Sequence, residues 1–326
     1  MYRIVRIAIA ALASVGMLAS VAACGSGRSS SEKNGTIEVV ASVNQWGTVA
    51  KTLGGGNVNV TSIINSTNVD AHDYEPTTSD IAKLQKAQVI IVNGAGYDAW
   101  AVKAAQSAKA TVINAAEVGG VKDGDNPHVW FSADVRKAVA QAITEAYEQA
   151  DAAKKSDFDK LHDQWKSEEN NVESKIAEVK QKSDGLAYAA TESVASYLAE
   201  DMGLTDATPS GYARATANES EPTPTDIRQF ADALKSGEIK LLIVNTQEES
   251  ELTSKITNAA KSASVPMVEL TEQMPERYDS LTAWMEGLVD AFSKAIASAL
   301  GLCRSMESTN TPTPADGSSI RAGRTL

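Results

Sequence analysis

The chain has 326 residues, 43% of them apolar and 22% charged, with a formal net charge of −12, a composition of soluble globular type and a length that suits two domains. The acid excess repels nucleic acid and anionic lipid, which excludes a nucleic-acid partner. Cys24 and Cys303 are too few for a disulfide framework, a zinc finger or a thiol redox motif.

Arg3 and Arg6 precede an apolar run from Ile7 to Ala23, which is shorter than the ~20 residues that span a bilayer. A charged start, a short apolar run and small residues before the cut describe a secretory signal over residues 1–23. The run ends Val21-Ala22-Ala23-Cys24-Gly25, which resembles the bacterial lipobox. That resemblance implies that Cys24 is lipidated, becomes the first residue, and anchors the chain to the cell membrane from outside the cytoplasm. Residues 24–35 are rich in Ser and Gly and read as a flexible tether.

From residue 36 to 150 short β-rich runs alternate with helical stretches. Strands are expected at 37–43, 58–64, 89–92 and 110–113, with helices such as 79–87 and 98–108 between them. Such alternation implies βα units and a mainly parallel sheet. Residues 184–300 repeat the pattern, with strands at 186–190, 241–244 and 267–270 and helices at 226–235 and 254–262. Between the lobes, residues 151–183 are highly charged. Phe158, Leu161, Trp165, Val172, Ile176 and Val179 follow one another at steps of 3, 4, 7, 4 and 3, a helical stripe. A helix there spans ~40 Å at 1.5 Å per residue and serves as a spine along both lobes. The expected fold is thus α/β, two Rossmann-like lobes joined by one long helix. The segment 301–326 is rich in Thr, Pro, Ser and Gly and reads as a disordered tail.

The two lobes also share a motif. Glu75-Pro76-Thr77-Thr78-Ser79-Asp80-Ile81 recurs as Glu221-Pro222-Thr223-Pro224-Thr225-Asp226-Ile227. Each pairs a capping hydroxyl with an acid in the first helical turn, which points to related units facing one cleft.

The chain has three histidines. His162 lies off the spine stripe and reads as a solvated surface residue. His72, in Asp70-Ala71-His72-Asp73-Tyr74-Glu75-Pro76, and His128, in Asn126-Pro127-His128-Val129-Trp130, both fall on strand-to-helix loops. In parallel α/β sheets such loops gather at the edge where ligands bind, and a neutral imidazole offers a lone pair to a metal.

The run His72-Asp73-Tyr74-Glu75-Pro76-Thr77-Thr78-Ser79-Asp80, the Asn126-Pro127-His128-Val129-Trp130 motif, the spine helix and the lipobox together resemble the metal-binding lipoproteins of ABC importers. These are the zinc and manganese cluster of solute-binding proteins, and the likeness covers about Ile37 to Leu300. It implies two further ligands from the second lobe. Glu192 stands a few residues before Tyr197, where the family places a His or Glu. Glu272 stands after a later strand, with Glu269 and Asp279 close by as alternatives.

Two departures from the family pattern stand out. The usual Pro-Gly-x-Asp-Pro-His opening is Ser66-Thr67-Asn68-Val69-Asp70-Ala71-His72 here, and no histidine-rich loop lies between Ala115 and Asn126. The resemblance implies a non-enzymatic, monomeric protein that captures one Mn2+ or Zn2+ and docks on an ABC permease with its ATPase. Two imidazoles and two carboxylates lean toward manganese, whereas intrinsic affinity leans toward zinc. A secreted zinc metallohydrolase and a cell-surface adhesin of the same family stand as alternatives. The chain has no H-E-x-x-H helix, and a closed four-ligand site disfavours catalysis.

Overall fold

In the computed structural model, residues 35–309 are described except 70, 72, 184, 219 and 249, and for 302–309 only the backbone is described. Cys24, the signal segment, His72 and residues 310–326 therefore lie outside the described residues.

The first lobe begins with β1 (Ile37–Val43), α1 (Asn44–Gly54), β2 (Val58–Ile64), α2 (Thr78–Lys86) and β3 (Val89–Val92). It continues with α3 (Ala99–Ala105), β4 (Thr111–Asn114), α4 (Ala115–Val118), a 3-10 turn at Val129–Phe131 and α5 (Ala133–Ala150). Its four strands are all parallel, in the order β2-β1-β3-β4. The strand β3, Val-Ile-Ile-Val, is buried at every position, as a strand covered by helices on both faces must be.

After the long helix α6 (Lys155–Ser183), the second lobe runs β5 (Ala187–Ala190), α7 (Ser196–Asp201), β6 (Thr205–Asp206), α8 (Ser210–Ala217) and α9 (Pro224–Ser236). It closes with β7 (Leu241–Asn245), α10 (Glu251–Ser262), β8 (Met267–Leu270) and α11 (Leu281–Thr309). These strands are again parallel, in the order β6-β5-β7-β8. The two sheets share one topology. Only two residues long, β6 is too short to leave a hydropathy pattern and is not among the strands expected from sequence.

The repeated Glu-Pro-Thr motif has one local cause. Thr77 and Asp80 form a reciprocal capping box at the start of α2, and Thr223 and Asp226 do the same for α9. Each threonine side chain accepts from the N3 amide while the N3 carboxylate accepts from the cap amide, which satisfies two otherwise orphaned donors. Both helices lie between the second and third strands of their lobes.

One hydrophobic core runs through both lobes. It takes Val39, Val89 and Ile91 from the first sheet and Tyr188, Ile243 and Val268 from the second, with Phe158, Trp165, Val172, Ile176 and Val179 of α6 between them. Smaller clusters cover the outer faces, under α2 and α3 in one lobe and under α8, α9 and α10 in the other. Among the described residues no helix is long and apolar enough to cross a membrane.

The seven-residue gap in the α6 stripe, between Trp165 and Val172, is filled by Glu169, which is fully buried. It pairs with Arg136 of α5, also fully buried, through Nε at 3.0 and 3.2 Å and Nη2 at 2.5 Å. Arg136 Nη1 donates to the Trp130 carbonyl at 3.1 Å, so this ion pair also ties the spine to the turn that follows His128.

Two expectations are corrected. His162 is half-buried rather than solvated, and its Nδ1 shares a 2.8 Å hydrogen bond with Thr144 Oγ1 of α5. Residues 301–309 continue α11 instead of opening an irregular tail. The stretch from Leu302 to Thr309 contains neither Gly nor Pro, so nothing there breaks a helix already under way.

Breaking the buried pair from one side should be costly. Arg136→Met alone or Glu169→Leu alone is expected to destabilise the protein by about 3–5 kcal/mol, while the double variant should recover most of the loss. Denaturant unfolding of the three variants measures this.

Candidate metal-binding site

Both sheets present their strand C-terminal ends to one place. The segment after β4 and α4 carries His128, the residues following β5 carry Glu192, and those following β8 carry Glu272. His128 Nε2 lies 3.8 Å from Glu192 Oε1 and 3.7 Å from Glu272 Oε2. One nitrogen and two carboxylate oxygens thus gather with all three atoms within 4.8 Å of one another. Glu269 and Asp279, the nearby alternatives, are exposed and stand outside this group.

The imidazole is held in one tautomer. Asn126 Oδ1 accepts from the His128 backbone amide at 2.9 Å and from His128 Nδ1 at 2.8 Å. The orientation of that amide is set by its other end, where Asn126 Nδ2 donates to the Ser193 carbonyl at 2.7 Å and to Ser196 Oγ at 2.8 Å. With the proton on Nδ1, the Nε2 lone pair faces the carboxylates, the arrangement a metal ligand requires. Tyr97 and Trp130 pack edge-on against the ring, with centroids 5.8 and 5.4 Å away.

Glu272 is held from both lobes. Its backbone amide donates to Gln247 Oε1 at 2.7 Å, and its carbonyl accepts from Gln45 Nε2 of α1 at 2.7 Å. Tyr97 donates its phenolic hydrogen to Glu272 Oε2 at 2.9 Å. Tyr97 itself ends a tight turn at Gly94, Ala95 and Gly96, all with positive φ. The turn is fixed by the buried Asp98 carboxylate, which accepts from the amides of Asn93 at 2.7 Å and Gly94 at 2.9 Å. Burial pushes the Asp98 carboxyl up despite those bonds.

Asn245, at the end of β7, joins the two carboxylates. Its Nδ2 donates to Glu192 Oε2 at 2.6 Å and to Glu272 Oε1 at 2.9 Å. Burial, and then the neighbouring Glu272 charge, push the Glu192 carboxyl above its ordinary range. Like charges desolvated together resist ionisation, and a divalent cation between them removes the conflict.

Asn126 stands inside a recognisable motif that does not reveal its task, and Asn245, Tyr97 and Gln247 fall in no motif at all. One signal was available. Both third strands end alike, Val-Ile-Ile-Val-Asn93 and Leu-Leu-Ile-Val-Asn245. The first asparagine donates to the Pro127 carbonyl at 2.8 Å beside His128, and the second holds the carboxylates.

Two similar parallel α/β lobes, bridged by one helix and meeting at a histidine and two carboxylates, define a solute-binding protein for a metal ion. The comparisons with known proteins agree. The profile of the family "Zinc-uptake complex component A periplasmic" (ZnuA) matches residues 39–295, and the chain belongs to that family. The metal ABC transporter substrate-binding lipoprotein ScbA of Streptococcus cristatus is 25% identical over 302 residues, covering 84% of this chain and 95% of that protein. The manganese ABC transporter substrate-binding lipoprotein PsaA of Streptococcus pneumoniae is 24% identical over 307 residues, covering 84% and 94%. Among solved structures, the periplasmic zinc-binding protein TroA of Treponema pallidum superposes with a TM-score of 0.67 at 17% identity, covering 80% of this chain and 99% of that one.

By its family the chain is a component of a metal-uptake complex, placed outside the cytoplasm. It is not an enzyme, because the family consists of substrate-binding proteins, and the metallohydrolase alternative falls with that.

Replacing Asn126 by Ala frees the His128 ring and opens a gap between the loops that carry His128 and Glu192. The affinity for Zn2+ and Mn2+ is expected to fall about 10–100-fold, the usual cost of losing a group that orients a ligand, as read by titration calorimetry on metal-stripped protein.

Proposed function

We propose that His72, His128, Glu192 and Glu272 together hold one divalent ion, Mn2+ or Zn2+, which the protein carries as cargo to its permease. The observation that carries this reading is the convergence of His128 Nε2, Glu192 Oε1 and Glu272 Oε2 within 4.8 Å. The donor set is nitrogen and oxygen without thiolate, which suits zinc and manganese and disfavours copper(I). Similar proteins carry names for both ions: PsaA is a manganese transporter lipoprotein, and TroA a periplasmic zinc-binding protein.

His72 enters on its sequence motif and its place in the β2–α2 loop. Neighbours on both sides of it are anchored. Ala71 is buried in the main core, and Tyr74 donates to Asp80 of the α2 capping box at 2.9 Å.

Purified protein stripped of metal and reloaded should bind one ion per chain by elemental analysis. His72→Ala, His128→Ala, Glu192→Ala and Glu272→Ala should each weaken binding by at least about tenfold, because a divalent ion loses one of four ligands. Full retention by the His128 and Glu272 variants would overturn the assignment.

We also infer that Cys24 carries the lipid anchor and that the mature chain acts as a monomer tethered to the membrane. The run Val21-Ala22-Ala23-Cys24 and the lipoprotein names of the relatives support this. With Cys24→Ala the protein should leave the membrane fraction and appear in the soluble extracytoplasmic fraction, read by fractionation and intact mass. An unchanged membrane fraction would reject the anchor.

A further inference from the structure

We propose that Asn245 determines the metal preference of this site by holding both glutamates to one-oxygen coordination. The inference rests on the proposed ligand set of His72, His128, Glu192 and Glu272. An amide nitrogen has two hydrogens, and those of Asn245 Nδ2 go one to each carboxylate, to Glu192 Oε2 at 2.6 Å and to Glu272 Oε1 at 2.9 Å. The oxygens that face His128 Nε2 are the other two, Glu192 Oε1 and Glu272 Oε2. Each carboxylate is thereby split into an inward donor and an outward oxygen engaged by the amide.

The amide cannot turn round without loss. Asn245 Oδ1 accepts from the Gln247 backbone amide at 3.0 Å, and the Asn245 backbone amide donates to Thr191 Oγ1 at 3.1 Å. Asn245 is buried at the end of a fully buried strand, so water does not readily take its place. For either glutamate to chelate an ion through both oxygens, a buried hydrogen bond to a carboxylate must break.

Coordination number separates the two candidate ions. Zinc accepts four ligands in a tetrahedron, whereas manganese favours six oxygen-rich positions. Bidentate carboxylates are one way a protein raises the count. With two imidazoles and two one-oxygen carboxylates the protein supplies four donors, and the site suits Zn2+. Release of Asn245 lets the carboxylates add oxygens and favours the larger coordination sphere of Mn2+. The donor types alone lean toward manganese; their enforced denticity reverses that leaning.

The test uses the purified mature chain loaded with Co2+, whose visible ligand-field absorption is intense at four-coordinate sites and weak at six-coordinate ones. Wild-type protein should bind one Co2+ with intense absorption. A stoichiometric complex with weak absorption would overturn the proposal while leaving the ligand assignment standing. Failure to bind Co2+, Zn2+ or Mn2+ stoichiometrically would overturn both.

Asn245→Ala, and Asn245→Leu as a variant of similar volume, should lose the intense absorption. Both should shift the Zn2+/Mn2+ affinity ratio toward manganese by about tenfold or more. Asn245→Ser keeps one donor and should fall between. If the folded Ala and Leu variants keep both the spectrum and the ratio of the wild type, Asn245 serves only packing and the proposal is wrong.

Discussion

Two carboxylates set side by side beneath an imidazole, largely away from water, are the constraint on which the rest of this structure depends. Bringing like charges together in a poorly solvated place is unfavourable, and burial and Glu272 together push the Glu192 carboxyl up. The arrangement persists because described neighbours of the pair hold it in place. Asn245 bonds to both acids, Tyr97 bonds to Glu272, and Asn126 keeps the His128 lone pair pointed at them. Under the proposed function this preformed geometry would leave little entropy to be lost on binding the ion.

The same constraint explains why the lobes are laced together so closely. The segment from Glu272 to Met274 belongs to the second lobe by sequence, yet Asn44 and Gln45 of the first lobe hold its backbone. The loop after Glu192 is likewise held from the first lobe by Asn126, and Tyr197 returns a bond to the Asn126 carbonyl at 2.9 Å. Each carboxylate from one lobe is therefore positioned in part by the other. A continuous core around α6 and the buried Arg136–Glu169 pair extend this coupling away from the site. Such a molecule resists the wide hinge that two lobes on flexible strands would allow.

The internal repeat gives the architecture a further logic. Each lobe has the same strand order, the same capped helix after its second strand and an asparagine closing its third strand. In one lobe that asparagine fastens the histidine loop, and in the other it bridges the carboxylates. One framework used twice places an imidazole nitrogen on one side and carboxylate oxygens on the other.

The fold was largely legible in the amino-acid sequence. Strands such as Val89–Val92 and Leu241–Asn245 are short apolar runs that only a doubly covered parallel sheet accommodates, and the spine helix is written in the spacing from Phe158 to Val179. Local rules of this kind act within a few residues, so they survive in sequence alone. The histidine and glutamate candidates were legible through a family motif. Glu272 could not be separated there from Glu269 and Asp279, because all three are acids near one strand end. Tertiary structure separates them in space: β8 turns Glu269 to solvent, while Gln247 and Gln45 draw Glu272 inward beside His128 and Glu192. It also decided that Glu169 is a core residue and that Asn126, Asn245 and Tyr97 serve the site. Their partners lie 27 to 175 residues away except within the turns themselves, and a hydrogen bond formed across such a separation leaves no periodicity in either segment.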